Sequence, residues 1–207
     1  MRYATKTPWW LKKLYPSCIW EMPSDEKKIY LSFDDGPHPQ ITPFVLDELK
    51  KFDAKATFFC LGKNVANYGD TFRRILNEGH AIGNHTFHHK NGWKTNDREY
   101  FQDIAAAKKY IDSGLFRPPY GKITPWQVRN VKKNLQMHIV MWSVLSADFD
   151  AKINPETCLQ NTLLAAKPGS IIVFHDSEKA WTNLAYALPR VLTHFSEEGY
   201  RFDKINL

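Results

Sequence analysis

Three short clusters in this chain hold residue types suited to hydrolytic metal chemistry. They are Asp34-Asp35-Gly36 near the start, His85-Thr86-Phe87-His88-His89 in the middle, and Phe174-His175-Asp176 toward the end. A catalytic metal takes about three protein ligands and leaves one position open for water. Asp35, His85 and His89 supply that number, and imidazoles four apart converge on one face of a helix or in a tight loop. His88 shows that spacing alone does not select the ligands. A mixed nitrogen and oxygen set suits one divalent ion, zinc first, with cobalt, nickel or manganese chemically compatible. Of two adjacent carboxylates at a strand end, one could hold the ion while the other moves a proton. Taken singly, each cluster also reads as a turn, a polar loop or a core histidine.

Two further segments add polar groups. Arg117-Pro118-Pro119-Tyr120-Gly121 is a rigid, extended corner that offers a cation for a carboxylate and a fixed backbone N–H for a developing oxyanion. His175 closes an apolar run and has the pKa range of a general acid, and Asp148 is a candidate to orient it.

These groups need elements that bring them together. Apolar or β-branched runs at 29–33, 56–61, 80–83, 137–144, 170–174 and 200–205 read as strands, with a short one at 114–117. Helical periodicity falls at 41–52, 70–79, 97–112, 125–134, 155–166 and 183–198. Thr42-Pro43, Thr124-Pro125 and Asn154-Pro155 read as helix starts, each a cap followed by proline. Pro189 predicts a kinked or split last helix. Alternating strands and helices make this an α/β chain with a parallel sheet, open or closed into a barrel. Asp34, Asp35, His85, Arg117, Asp148 and His175 all stand at or just after strand ends, where barrel enzymes gather their sites. No Gly-x-Gly-x-x-Gly or Walker loop supports nucleotide binding.

At 207 residues the chain suits a single domain. Its net charge of +6 is spread along the sequence, so no nucleic-acid partner is expected. The three cysteines, Cys18, Cys60 and Cys158, have no paired spacing and read as idle thiols. Residues 1–27 read as an N-terminal docking segment and 28–207 as the catalytic domain. Trp9-Trp10-Leu11-Lys12-Lys13-Leu14-Tyr15 has the composition of a membrane-surface contact, although docking on the core suits so short a stretch better. Neither a secretory signal nor a membrane span of ~20 apolar residues is legible, so a cytoplasmic location is the default expectation, with another export route left open.

Together the segments resemble the polysaccharide deacetylase family, the NodB-homology carbohydrate esterases of family 4, over roughly residues 28–207. The first motif stands as Ser32-Phe33-Asp34-Asp35-Gly36, the second as His85 to His89, and the third as Arg117 to Gly121. The resemblance implies a distorted, incomplete (β/α) barrel. It implies Asp34 as general base, Asp35, His85 and His89 as metal ligands, and Arg117 orienting Asp34. It also implies the Tyr120 backbone N–H at the oxyanion and His175 as general acid steadied by Asp148. Two motifs depart from the family pattern: Leu145 and Phe149 replace an Asp and a Trp, and Val173 replaces a Leu. These swaps bear on substrate fit more than on chemistry.

The implied activity is removal of N-acetyl groups from an amino-sugar saccharide. Pro118, Tyr120, Phe149, Trp93 and Trp181 are candidate substrate contacts, while Trp142 reads as core packing within a strand. The alternatives are an O-acetyl esterase acting on xylan, a deacylase of a lipid-linked or small amino sugar, and a silent carbohydrate-binding homologue.

Overall fold

A computed structural model describes residues 4–23 and 25–207. In chain order the elements are α1 (Trp9–Leu14), β1 (Lys28–Asp34), α2 (Ile41–Lys51), β2 (Ala56–Cys60), α3 (Gly62–Asn67), α4 (Gly69–Asn77), β3 (Ala81–Asn84), α5 (Asp97–Lys108), β4 (Leu115–Phe116), α6 (Pro125–Asn134), β5 (His138–Ile139), β6 (Val144–Leu145), α7 (Pro155–Leu163), β7 (Ile171–His175), α8 (Trp181–Glu197) and β8 (Arg201–Phe202). Short 3-10 turns occupy Pro119–Gly121 and Glu178–Ala180.

The strands form one sheet in the order β5-β4-β3-β2-β1-β7-β6, with β8 added beside β1, and every pairing is parallel. Central β1 and β2 are apolar along nearly their whole length because helices or barrel interior cover both faces. Phe33 stacks on Phe58 and Phe174 at 5.1 and 6.2 Å between ring centroids, tying three neighbouring strands into one core. Because the strands run the same way, their carboxyl ends lie together. Asp34 is in register with His175, and Asn84, the residue before His85, with Phe116, the residue before Arg117.

The barrel is incomplete because β5 and β6 end the sheet without pairing to each other. The N-terminal stretch lies along both edges, with Ile19 bridging to Val140 and Lys6 to Val144, and Glu21 bridges to Ser170 ahead of β7. Leu11 and Tyr15 pack on the core cluster beneath α5 and α6. Residues 1–3 and 24 of the expected 1–27 segment lie outside the described residues. Among the described residues no helix is long and apolar enough to cross a membrane.

Several local expectations are corrected. The run at 137–144 is two short strands, and the last strand is only Arg201–Phe202. The six-residue helix α3 had no periodicity long enough to announce it. Thr124 and Asn154 cap α6 and α7 through their side chains, but Thr42 is no cap. Helix α2 starts at Ile41, two residues before the Pro43 start that a Thr42 cap implies, and the N–H groups of Gln40 and Ile41 donate to His38 Nδ1 at 3.2 Å. Helix α8 is not split at Pro189. Leu184, Ala187, Leu188, Val191, Leu192 and Phe195 bury one stripe on both sides of it, which outweighs the ~3 kcal/mol cost of an interior proline.

Candidate active site

At the carboxyl end of the sheet lies a cavity of about 600 Å³ whose floor holds Asp34, Asp35, His85, His89 and His175. They arrive from three strand ends and the loops that follow: Asp34 and Asp35 from β1, His85 and His89 from β3, and His175 from β7. Asp34 is the last residue of β1, and its Oδ1 accepts from Arg117 Nη1 at 2.8 Å. Arg117 is fully buried. The same nitrogen donates to Ser32 Oγ at 2.7 Å, Nε donates to the Val140 carbonyl at 3.1 Å, and Nη2 donates to the Met141 carbonyl at 2.9 Å. The guanidinium also lies over the Phe59 ring, 4.0 Å from its centroid. Burial pulls the Arg117 pKa down against the opposing Asp34 charge, yet a guanidinium does not lose its proton in a protein, so Asp34 keeps a permanent cation.

Asp35, His85 and His89 come together as a triad whose ligand atoms all lie within 4.8 Å of one another. Asp35 Oδ1 is 3.1 Å from His89 Nε2 and 3.7 Å from His85 Nε2. The histidine segment is a loop rather than a helix, and Thr86 and His89 have positive φ, which folds the two imidazoles onto one point. Asp103 of α5 holds this loop: its Oδ2 accepts from the backbone N–H of Phe87 and His88 at 3.0 and 2.9 Å, and its Oδ1 meets His88 Nδ1 at 2.6 Å. His88 is thereby turned away from the triad.

The donors fit a divalent cation. His85 Nδ1 is 2.8 Å from the Arg117 carbonyl and must donate to it, so Nε2 presents a lone pair to the cavity. Burial lowers the His85 pKa to about 4, which keeps the ring neutral. Burial works against ionisation of Asp35, yet the imidazoles of His89, His175 and His85 hold its carboxyl below the usual carboxylate range. Its Oδ1 is buried and accepts no hydrogen bond. An ionised oxygen facing the His85 Nε2 lone pair is costly unless a cation lies between them.

The other half of the site is Asp148 and His175. Asp148 is fully buried, and its Oδ1 meets His175 Nδ1 at 2.8 Å while its Oδ2 accepts the His175 backbone N–H at 2.7 Å. Burial would lower the His175 pKa, but the charge and hydrogen bond of Asp148, aided by Asp35 and Asp34, raise it to about 9. Phe149 packs edge-on against the His175 ring at 5.1 Å.

Tyr120 is exposed at positive φ, and its hydroxyl lies 3.1 Å from His89 Nδ1. Of the expected substrate contacts, Tyr120 and Phe149 line the cavity, whereas Pro118, Trp93 and Trp181 do not. Pro118 is buried in the corner that carries Tyr120; Trp93 stands beside Lys122, and Trp181 packs edge-on against Phe44. Trp142 lies between β5 and β6 rather than inside a strand; it packs against the core as expected and also lines the cavity. Leu145, Phe149 and Val173, the three departures from the family motifs, are all in the cavity wall.

Sequence reasoning named Ser32 and Asp176 only as motif neighbours without a role, and missed Asp103, Lys122 and Lys179. Asp176 is buried beneath the Asp34-Asp35-Gly36 turn, where its Oδ1 accepts the Gly36 N–H at 3.0 Å, Thr42 Oγ1 donates to its Oδ2, and its N–H donates to the Asp34 carbonyl at 3.1 Å. A Cβ on Gly36 would stand 2.1 Å from Asp176 Oδ2, so the close approach requires glycine there. Burial, with the Asp35 charge, raises the Asp176 pKa to about 8 against hydrogen bonds from Thr42 and Gly36.

The family model for polysaccharide deacetylase matches residues 21–140. The chain belongs to the polysaccharide deacetylase family. It is 36% identical over 199 residues to a peptidoglycan-N-acetylglucosamine deacetylase of Bacillus cereus, covering 92% of this chain and 93% of that protein. A chitooligosaccharide deacetylase of Azorhizobium caulinodans is 38% identical over 159 residues, 73% of this chain and 75% of that one. Among solved structures, a peptidoglycan N-acetylglucosamine deacetylase in complex with a naphthalenyl N-oxidanyl-benzamide superposes with a TM-score of 0.87 at 32% identity, covering 96% of this chain and 95% of that one. The parallel half-barrel is therefore the family fold, and the motif segments fall at its strand ends.

Proposed function

We propose that this protein hydrolyses N-acetyl groups from amino-sugar saccharides, with Asp35, His85 and His89 holding one divalent ion, zinc by donor type. The observation that carries this reading is the Asp35 oxygen without a hydrogen bond, facing His85 Nε2 and His89 Nε2 in the same cavity as Asp34 and His175. The ion supplies Lewis acidity, which brings the pKa of water down to about 7 and polarises the acetyl carbonyl. Asp34, fixed by Arg117, accepts the water proton as the water oxygen bonds to the acetyl carbon. The Tyr120 backbone N–H is assigned to the developing oxyanion. His175, protonated at neutral pH and held by Asp148, gives its proton to the sugar nitrogen as the carbon–nitrogen bond breaks. Acetate and the free amine leave, and the proton on Asp34 restores the site through solvent.

A silent binding module has no need for a buried base with a fixed cation beside an acid with a raised pKa. Ester cleavage uses the same groups but depends less on His175, since an alkoxide leaves more readily than an amine. The test is acetate release from N-acetylated chito-oligosaccharides and O-acetylated xylan by protein stripped with chelator and reloaded with zinc, cobalt or nickel. Metal-restored release from the amide supports the reading. Release from the ester alone, or no release despite tight metal binding, overturns it.

A further inference from the structure

Matching the charges around the cavity leaves two cations over. Asp34 is paired with Arg117 and Asp148 with His175, each at 2.8 Å, and Asp35 belongs to the metal triad. Lys122 and Lys179 line the same cavity, and the acetyl chemistry uses neither. Among the described residues neither ammonium has a carboxylate partner. Lys122 Nζ stands 4.1 Å from the Trp93 ring centroid, and Lys179 Nζ stands 5.6 Å from that of Phe149. A ring face steadies an ammonium without neutralising it, so both charges stay available.

The two lysines come from different sides. Lys122 follows the Pro119–Gly121 turn beyond β4, and Lys179 lies in the Glu178–Ala180 turn beyond β7. The sheet order puts β4 and β7 on either side of β1, whose end carries Asp34. The centre of the cavity, with Asp34 and the Asp35 triad, is taken by the acetyl group of the reacting sugar. An anion on a flank would meet a lysine, and a wall of unmatched cations draws such ligands in and orients them. A neutral glycan gives these lysines no charge to pair with.

We propose that Lys122 and Lys179 select an N-acetylated glycan bearing a carboxylate on the sugar next to the one deacetylated, over a neutral chito-oligosaccharide. This rests on the deacetylase reading above. It makes the two lysines specificity residues for the flanking sugars, acting mainly on KM.

The test uses the metal-loaded full chain and three tetrasaccharides. One alternates N-acetylglucosamine with N-acetylmuramic acid and carries lactyl carboxylates. The second is its methyl ester, of nearly the same shape but uncharged, and the third is N-acetylated chitotetraose. The free acid should be turned over several-fold more efficiently than its ester at low salt, through KM. The preference should shrink at ~0.5 M salt, where charges are screened within a few Å. Lys122→Gln and Lys179→Gln should each reduce the acid-to-ester ratio by up to about fivefold, as expected of partly exposed pairs, and the double variant should abolish it. Equal turnover of acid and ester, or a preference that survives the double substitution, overturns the proposal while chitotetraose turnover leaves the deacetylase reading intact. If no substrate releases acetate, that reading falls, and calorimetric affinity of the wild-type chain for acid against ester decides the charge selection alone.

Discussion

Asp34 and Asp148 make an instructive pair. Both are buried carboxylates at the carboxyl end of the sheet, and each holds one cationic partner at 2.8 Å. The partner of Asp34 is Arg117, enclosed on every side and unable to titrate. The partner of Asp148 is His175, whose side chain is 15% exposed and faces the cavity. A permanent cation fixes an anion in place and keeps it ready to take a proton. A titratable one, open to substrate, turns the same kind of ion pair into a proton donor. Two pairs of equal length thus serve opposite purposes because of what the cation can lose and what it can reach.

Substitutions at three positions test that contrast and two at a fourth, Asp176, set it against a buried carboxyl with no cationic partner, in descending order of effect by position. Asp34→Asn removes the proton acceptor and should lower kcat by about 10²–10⁴ while calorimetry still detects metal binding; turnover near the wild-type level would discard the base assignment. Arg117→Met leaves Asp34 buried without its cation and should cost about 3–5 kcal/mol in urea unfolding, whereas a loss well under that would mean water or another group already compensates Asp34.

Asp148→Asn tests the titratable pair. The folded pKa of His175 is raised to about 9, so in the wild type the imidazolium persists through neutral pH and activity falls as pH rises through that value. Without the Asp148 charge the limb should move toward the ordinary imidazole value of about 6.5, giving a roughly thirtyfold deficit at pH 8 and a small one at pH 6. A deficit independent of pH would show that Asp148 only supports the fold. The same raised pKa stabilises the folded state fully below about 6.5 and loses that contribution as pH rises through about 9.

Asp176→Asn should change least, within about 1 kcal/mol, because a carboxyl that burial keeps protonated resembles an amide in its hydrogen bonds. Asp176→Ala should cost about 1–3 kcal/mol by leaving the Gly36 N–H unsatisfied. If the Asn variant proves as damaging as Ala, the carboxylate form is the one the turn requires.

The sheet and the motif residues were legible because a parallel sheet of this kind writes its strands as apolar runs and places polar groups where those runs stop. What supports the motif residues was not. Asp103 sits in mid-helix and Asp176 directly after the strand-end histidine, and both look like surface acids until the tertiary fold buries them under a loop or turn. Thr42 reads as a cap by its neighbour Pro43, yet Asp176 claims its hydroxyl from another element altogether. Pro189 reads as a breaker, yet packing on both sides of it keeps α8 continuous. Lys122 and Lys179 are two among 28 basic residues, and only the shape of the cavity singles them out.

The N-terminal stretch beside β5 and β6 has a consequence for solubility as well as shape. An incomplete barrel ends in strands whose outer N–H and C=O groups are free to recruit another chain. Here Thr7 donates to the Ser143 carbonyl, Leu145 to Thr5, Ile19 to Ile139, and Met141 to Ile19, so the chain spends its own first residues on both edges. The stretch acts as an internal stopper against edge-to-edge association. A protein trimmed to residue 28 would retain every motif residue of the cavity and present two bare strand edges to its neighbours.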